Sequence, residues 1–366
     1  MPKILPISGE RVFIKFLRAQ AADLTIRGHH SFPGLALGIG DDCAILRPPR
    51  GHEILVTTDL SLETIHFRRE WHSPESIGHR CLARGLSDLA AMGAQPLAAF
   101  LSLALPQELI RSRKGQPSWR DRFLSGFLAL ADRYHIPLAG GDTAQSPRIA
   151  MPSSGNPTTG FALADIVLVG SAPRNRALRR SMAQPGDCIY VTGHLGGAAA
   201  ELKKLAEAPR RFRSFTSSEA ADTVANPHPH LFPEPRLAVG AWLLKNNRAT
   251  AAIDISDGLS TDLDHLCQES NLAATIDASV IPVHPLAQKS PLPVSASELA
   301  LALNGGEDYE LLFTASPAAH IPRRIAGVPI ARIGTMRRYN PRKPRMLLRE
   351  QDKERPIHAA GWEHYK

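Results

Sequence analysis

The sequence lacks any apolar run long enough to cross a membrane. Its longest strongly apolar stretch, residues 97–105, is interrupted by Ser102 and ends at Pro106, whereas a membrane-spanning helix needs about 20 consecutive apolar residues. Residues 1–16 also lack the sustained apolar core of a secretory signal peptide. We therefore expect a cytoplasmic protein with no membrane partner.

Cysteine is scarce, and the cysteines that are present do not form pairs. Cys43, Cys81, Cys188 and Cys267 are far apart, and no Cys-x-x-Cys motif occurs. This spacing indicates neither a zinc site nor a disulfide framework. We interpret all four as reduced thiols, which again suits the cytoplasm.

The signatures of several nucleotide- and nucleic-acid-binding classes are missing as well. There is no GxxxxGK[ST] loop, no protein-kinase signature set, no RNA-recognition motif and no zinc-finger spacing.

The net charge of +8 and the pI of about 9.5 nevertheless favour an anionic partner, such as nucleic acid, an anionic membrane surface or phosphorylated metabolites. Basic residues are absent from four segments that carry acidic residues: 35–46, 51–67, 251–264 and 300–316.

The first of these segments contains Gly38-Ile39-Gly40-Asp41-Asp42. Glycines permit tight turns and close approach of a ligand, and two adjacent carboxylates repel each other unless a cation neutralises them. The pentapeptide is therefore typical of a loop that presents negative charge to a hard cation such as Mg2+. Taken alone it is better explained as a solvated turn, because Gly and Asp are common turn residues.

Similar acidic positions recur at the ends of apolar runs. The run Ile54–Thr58 predicts a buried strand that stops at Asp59, and Ile136–Ala139 predicts a strand that leads into a turn at Gly140–Thr143. A carboxylate that follows a buried strand is well placed to face a crevice. The full set of recurring aspartates is Asp42, Asp59, Asp88, Asp142, Asp254 and Asp257.

Residues 73–93 give the clearest helix prediction. Ser73 is an N-cap candidate, Pro74 suits the first helical position, and Gly93 is a plausible C-terminal stop. At helical spacing Asp88 shares a face with apolar side chains and lies near the negative end of the helix dipole, so a cation should compensate it. The cation could be a metal ion, although a pair with Arg84 or a loop cap would also explain this aspartate.

Together these patterns indicate a chemistry. Several carboxylates that converge on one crevice require divalent ions, and divalent ions with glycine turns and arginines suit ATP-dependent phosphoryl transfer. The phosphates would then be held by metal ions, backbone amides and arginine, without a P-loop lysine. A basic, non-catalytic protein that binds nucleic acid or other anions is a rival hypothesis, but it leaves the acidic turns unexplained.

Six motifs stand in an order that resembles the thiamine-monophosphate kinase family, within the aminoimidazole ribonucleotide synthetase-like superfamily. They are GIGDDCA at 38–44, TTD at 57–59 with His66-Phe67, SDLAAMGA at 87–94, GGDT at 140–143, DISDGL at 254–259 and NGGEDYELL at 304–312. The resemblance implies an α/β (α+β) protein of two domains. Residues 1–172 would bind ATP and Mg2+ and form a homodimer, residues 173–366 would form a C-terminal α/β domain, and the substrates would lie in the cleft between them. Residues 151–160 are expected to form a loop.

The resemblance also implies the activity and the site residues. The enzyme would use ATP and several Mg2+ ions to phosphorylate thiamine monophosphate, giving thiamine diphosphate and ADP by direct in-line transfer, with Asp59, Asp88 and Asp142 as its catalytic residues. Gly141, Asp142, Arg180 and Ser256 would contact ATP, while His66, Glu307 and Trp362 would contact the acceptor. Without the resemblance, Trp362 would be interpreted as a packing residue. The metal ligands would be Asp42, Thr57, Thr58, Asp59, Asp88, Asp142, Asp254 and Asp257. The alternative is an ATP-dependent synthetase of the same superfamily that acts on another small metabolite.

Overall fold

The computed structural model describes residues 19, 32, 34–112, 116–147, 160–208, 226–288 and 296–363. The loop expected over 151–160 lies almost entirely outside these ranges. No helix within the described residues is long and apolar enough to span a bilayer. The chain divides into two compact units, one with the described residues up to Gly85 and Pro96–Ser171, the other with Leu86–Gln95 and most of the chain from Ala172 onward.

The first half of the chain supplies a four-stranded sheet in the order β3-β6-β4-β5, in which β4 and β5 run parallel. Strands β1 and β2 form a separate antiparallel pair. The strands are β1 (Leu35–Leu37), β2 (Ile45–Leu46), β3 (His52–Leu62), β4 (Gln95–Leu105), β5 (Leu138–Gln145) and β6 (Leu163–Pro173). The helices are α1 (Pro74–Ala91), α2 (Gln107–Ile110) and α3 (Trp119–Arg133).

Helix α1 begins and ends as the sequence predicts. The Ser73 hydroxyl oxygen accepts a hydrogen bond from the Ser76 backbone N–H at 3.1 Å, and Gly93 adopts a left-handed φ of +67° just after the helix. Helix α1 crosses α3 at two glycines: a Cβ on Gly78 would lie 1.9 Å from the Phe123 carbonyl oxygen, and a Cβ on Gly126 equally close to that of Glu75.

The second half of the chain supplies a larger, mostly antiparallel sheet. Its strand order is β14-β13-β9-β12-β7-β10-β8, with β11 paired to β12 and only β13–β9 parallel among the described pairs. The strands are β7 (Cys188–Thr192), β8 (Ala251–Ile255), β9 (Leu272–Asp277), β10 (Glu310–Ala315), β11 (Arg324–Ile325), β12 (Val328–Arg338), β13 (Met346–Glu350) and β14 (Lys353–Ile357). The helices are α4 (Gly197–Glu207), α5 (Leu237–Lys245), α6 (Leu259–Glu269) and α7 (Ala296–Asn304).

Helix α6 packs into the hydrophobic core of the second unit. Every residue of β8 is buried, and Leu263 and Leu266 of α6 pack in the same apolar cluster as Ile253 and Leu312. The apolar run before Asp254 is therefore a buried strand that leads directly into α6. Asp254 and the turn after it are thus held on a rigid part of the fold.

Two strand predictions placed their aspartates wrongly. Asp59 does not follow a strand, because β3 continues to Leu62. Asp142 does not lie in a turn, because Gly140–Thr143 are part of β5, where Asp142 pairs with Ser102 of β4. Backbone pairing with neighbouring strands continues past both aspartates, and the apolar run alone does not reveal such pairing.

Candidate active site

The glycine-rich segments 38–44 and 140–143 meet at one surface cavity of about 870 Å3 in the first unit. Asp42 and Asp142 both line it and both are exposed, and the Phe100 and Leu101 side chains of β4 also line it. Pockets of roughly 300–1,000 Å3 are the usual size for small ligands and cofactors. Two aspartates that lie about 100 positions apart in the sequence therefore face the same space.

Gly141 is required for this arrangement. Its φ is +149°, and a Cβ on it would lie 1.9 Å from the Leu101 carbonyl oxygen. Only glycine lets β5 approach β4 this closely at the residue before Asp142. The Asp142 Oδ1 atom accepts a hydrogen bond from the Thr143 backbone N–H at 2.7 Å, which orients the carboxylate.

Strand β3 places Thr57 and Asp59 on one face and Thr58 on the other. Burial alternates along the strand, with Thr57 and Asp59 half-buried and Thr58 exposed. Alternation is the normal consequence of the two-residue period of a strand. The Thr58 side chain therefore points away from Asp59, and only the backbone carbonyl of Thr58 would be available to a metal ion held by Asp59.

The charge on Asp59 is balanced by a residue of α1. Arg84 Nη2 lies 3.3 Å from Asp59 Oδ1, and Arg84 Nη1 donates a hydrogen bond to the Leu60 carbonyl oxygen at 2.9 Å. The sequence offered Arg84 as a partner for Asp88, and the structure places the Arg84 guanidinium beside Asp59. This contact is a feature of the site that the sequence pattern did not reveal.

His66 lies just beyond β3 in the same unit. Its Nδ1 atom accepts a hydrogen bond from the Leu62 backbone N–H at 3.0 Å, and the ring is half-buried. A neutral imidazole carries one N–H proton, and when Nδ1 accepts a hydrogen bond from the backbone that proton is on Nε2. Its predicted role toward the acceptor stays a prediction.

In the second unit, the motif at 87–94 contacts the motif at 254–259. Asp254 is only 3% exposed, and its Oδ2 atom accepts a hydrogen bond from the Ser87 hydroxyl at 2.8 Å. Asp88 follows Ser87 in α1 and is half-buried. The contact explains why a serine precedes the aspartate in this helix, and it ties the motif at 87–94 to Asp254.

Asp262 organises the turn that carries Ser256 and Asp257. Its Oδ2 atom accepts hydrogen bonds from the backbone N–H groups of Ser256, Asp257 and Gly258, each at 3.1 Å. Burial, together with the charges of Asp254 and Asp257, raises the pKa of Asp262 to about 8 despite these hydrogen bonds. The sequence analysis assigned Asp262 no role.

The acid-rich segment 304–312 packs against this turn. The Glu307 backbone N–H donates to the Ser256 carbonyl oxygen at 2.7 Å, and Glu307 adopts a left-handed φ of +67°. Its Oε2 atom lies 3.1 Å from Nδ1 of His230, whose side chain is 2% exposed. Glu201 fixes the turn that carries His230, because it accepts a hydrogen bond from the His230 backbone N–H at 2.8 Å.

The chain near its end also reaches this turn. The Trp362 backbone N–H donates to the Asp257 carbonyl oxygen at 3.0 Å, and the Gly361 backbone N–H donates to the Thr261 hydroxyl at 3.0 Å. Trp362 as a whole is 54% exposed, so about half of the residue is accessible from solvent. Glu307 and Trp362 therefore both contact the 254–259 motif through the backbone.

Two further charged residues of the second unit, Arg180 and Glu310, make separate contacts. The exposed Arg180 lies in a short 3-10 helix, and its carbonyl oxygen accepts from the Ser270 hydroxyl at 2.7 Å. Arg236 Nε donates to Glu310 Oε2 at 2.7 Å, and the Thr192 hydroxyl donates to the same oxygen. The separation of arginines from acidic segments seen in the sequence therefore does not hold in space for Glu310 or Asp59.

The donor chemistry of these residues fits a divalent cation. Asp254, Asp257 and Asp262 are carboxylates in close electrostatic contact, and ligand atoms of Asp257, Asp262 and His265 lie within 4.8 Å of one another. Carboxylate oxygens are the ligands that Mg2+ prefers. Burial is the main cause of the raised pKa of Asp262, and the negative charges of Asp254 and Asp257 add to it; a cation bound to those two carboxylates would oppose that addition.

Comparison with known proteins identifies the family. Models of the "AIR synthase related protein" N-terminal and C-terminal domains match residues 40–171 and 184–336. A thiamine-monophosphate kinase of Bacillus subtilis (strain 168) is 32% identical over 343 residues, which are 92% of this chain and 95% of that protein. The chain belongs to the thiamine-monophosphate kinase family.

Solved structures of this family share the fold. The crystal structure of thiamine-monophosphate kinase from Stenotrophomonas maltophilia K279a is 33% identical, with a TM-score of 0.68, and the match covers 91% of this chain and 95% of that one. A structure of AaThiL complexed with AMPPCP and TMP is 25% identical, with a TM-score of 0.67 and coverage of 98% and 97%. The predicted family and the predicted two-domain α/β fold are confirmed, while the boundary at residue 172 and the residue roles stay predictions.

Proposed function

We propose that this chain transfers the γ-phosphoryl group of ATP to the phosphate of thiamine monophosphate, with thiamine diphosphate and ADP as products. The observation that carries the proposal is the likeness, over nearly the whole of both chains, to a family member complexed with AMPPCP and TMP. AMPPCP is an analogue of ATP, and TMP is the abbreviation for thiamine monophosphate. All six motifs on which the resemblance rests lie within the described residues.

On the nucleotide side, the cavity between segments 38–44 and 140–143 has the size and donor groups for bound phosphates and their counter-ions. Gly141 would place its backbone next to the nucleotide, and Ser256 and Arg180 would contact it as the family motif suggests. Arginine suits this role because its planar guanidinium binds phosphate oxygens in a bidentate manner.

We also propose that Mg2+ accompanies the ATP. Held by the carboxylates of the site, Mg2+ would supply neutralisation of the phosphate charge, which is the chemistry that phosphoryl transfer requires. The proposed ligands combine Asp42 and Asp142 at the cavity, Asp59 with its threonine neighbours on β3, and Asp88, Asp254 and Asp257 in the second unit. The gathered carboxylates around Asp262 support this assignment.

On the acceptor side, we propose that Glu307, Trp362 and His66 recognise thiamine monophosphate. The thiazolium ring is a cation, so a carboxylate and an open indole face are suitable partners. The 54% exposure of Trp362 and the contact that His230 makes with Glu307 support these two roles. Because the acceptor already offers a phosphate oxygen, in-line transfer requires positioning and charge neutralisation but no general base.

We further propose a homodimer formed through the first unit. The outer face of β3 exposes Ile54, Val56 and Leu60 at 44%, 60% and 45%. An apolar strand face of this kind is typical of a surface that a partner covers.

All four cysteines are free thiols, which suits the reducing cytoplasm that we propose as the protein's location.

Binding of the acceptor tests the acceptor site separately from turnover. Thermal-shift titrations with thiamine monophosphate, in the presence of AMPPCP and Mg2+, should raise the melting temperature of the wild-type protein. Free thiamine should give a smaller shift, and Glu307→Gln should weaken the response to the monophosphate. Equal shifts with free thiamine, or an undiminished response in Glu307→Gln, would contradict the proposed acceptor site.

A further inference from the structure

Arg84 occupies an unusual position for a cation, beside a carboxylate that we propose as a metal ligand. Its Nη2 atom lies 3.3 Å from Asp59 Oδ1, while its Nη1 atom donates to the Leu60 carbonyl oxygen at 2.9 Å and to the Ser61 hydroxyl at 3.4 Å. The side chains of Arg84 and Asp59 are only 14% and 20% exposed. The guanidinium is therefore anchored to β3 at three points and is not a solvated surface charge.

Close packing of α1 on the sheet keeps the arginine in place. A Cβ on the next residue, Gly85, would lie 2.9 Å from Leu168 Cδ1 and 3.6 Å from Asp59 Oδ2. The helix thus lies directly over Asp59, and glycine at position 85 permits this approach. Moving α1 away from the sheet would lose this packing, which favours Arg84 staying next to Asp59.

We infer that Arg84 is a fixed counter-cation that weakens divalent-cation binding at Asp59 and so sets the metal concentration at which this position fills. The inference rests on the proposed function, because it takes Asp59 as a metal ligand. A guanidinium stays protonated throughout the working pH range, so the competition is permanent. An arginine beside a carboxylate lowers its affinity for a proton about tenfold or more, and the same electrostatics apply to a metal ion.

The test compares divalent-cation binding by Arg84→Gln and wild-type protein without nucleotide. Mn2+ serves as the probe, because free Mn2+ is measured directly by electron paramagnetic resonance. We expect the dissociation constant for Mn2+ at the Asp59 position to be lower in Arg84→Gln than in wild-type protein by on the order of tenfold. Arg84→Met, which is neutral but keeps an apolar stem, should give the same direction, and it replaces the glutamine variant if that variant does not fold.

Arg122→Gln is the matched control. Arg122 donates from Nε and Nη2 to the Glu75 carboxylate at 2.7 and 2.9 Å in the same unit, and Glu75 is not among the proposed metal ligands. This variant loses one positive charge and one ion pair, as Arg84→Gln does, but its Mn2+ affinity should stay within about twofold of wild type because exposed charges at a distance are screened. An equal gain in affinity in both variants would show a net-charge effect and would overturn the inference.

Unchanged or weaker Mn2+ binding in both neutral Arg84 variants would also overturn it. The outcome is independent of the proposed reaction, because no turnover is measured. If Arg84→Gln binds Mn2+ more tightly while wild-type protein fails to phosphorylate thiamine monophosphate, the role of Arg84 stands and the acceptor is wrong. If Asp59→Asn binds Mn2+ with the same affinity as wild-type protein, Asp59 is not a metal ligand, and the inference fails with that role.

Discussion

Gly141→Ala is the substitution that tests most sharply how the fold presents Asp142. The new Cβ would stand 1.9 Å from the Leu101 carbonyl oxygen and 2.6 Å from its carbonyl carbon. Real Cβ atoms essentially never approach below 3.0 Å, so β5 must separate from β4 by about 1 Å at the pair next to Asp142 and Ser102. The aspartate would move with the strand.

The expected cost is the sum of two effects. A side chain at the Gly141 φ of +149° costs about 1–3 kcal/mol of backbone strain, and an overpacked contact that the structure must relieve costs about 1–3 kcal/mol more. We therefore expect Gly141→Ala to lower the free energy of unfolding by about 4 kcal/mol. Gly186→Ala is the matched control, because Gly186 has a φ of +93° but a Cβ added there would meet no atom of the described residues within 4 Å.

Urea denaturation followed by circular dichroism measures both variants under one set of conditions. Gly186→Ala should lose about 1–2 kcal/mol, the cost of a left-handed backbone alone. The two variants should therefore differ by about 2–3 kcal/mol. Equal losses would show that β5 is free to move away from β4 at no cost, and would refute the reasoning that Gly141 fixes the position of Asp142.

Three further predictions concern the second unit. Arg236→Ala should destabilise the protein by about 3–5 kcal/mol, because it leaves the buried Glu310 carboxylate without its ion-pair partner; adding Glu310→Gln should recover part of the loss in urea denaturation, and no recovery would contradict the ion-pair explanation. Burial lowers the pKa of His284 to about 4, so the stabilisation present above pH 6.5 is lost as pH falls, by up to about 2 kcal/mol between pH 7 and pH 5. His284→Gln should flatten this pH dependence, and an unchanged slope would assign it to other groups. Glu307→Gln should raise the KM for thiamine monophosphate at least severalfold and leave the KM for ATP unchanged; a change confined to ATP would exclude an acceptor role.

The sequence predicted well those features that depend on local chemistry. The N-cap at Ser73 and the stop at Gly93 each follow from a few adjacent residues. The six motifs in order were sufficient to identify the family, since each keeps its chemistry within a short segment. Segments 38–44 and 140–143 both line one cavity, as acidic segments that converge on a crevice would, and the roles of their aspartates stay predictions.

The remaining features depend on pairing between distant segments. Asp59 and Asp142 lie within strands because neighbouring strands continue past them, and no local pattern reports the position of a neighbour. The partners of Glu310 and Glu307 are Arg236 and His230, more than 70 positions earlier in the chain. Sequence spacing suggested that the acidic segments lacked basic neighbours, but tertiary contacts supply them.

The most direct test of the proposed reaction is a coupled assay that follows ADP and thiamine diphosphate together, with ATP, Mg2+ and thiamine monophosphate as reactants. We predict equal amounts of the two products and no phosphorylation of free thiamine. Asp142→Asn should lower the rate at least about 100-fold, which is the effect of removing one group that stabilises charge in the transition state. Absence of thiamine diphosphate, with Mg2+-dependent ATP binding intact, would contradict the proposed reaction and indicate a different acceptor.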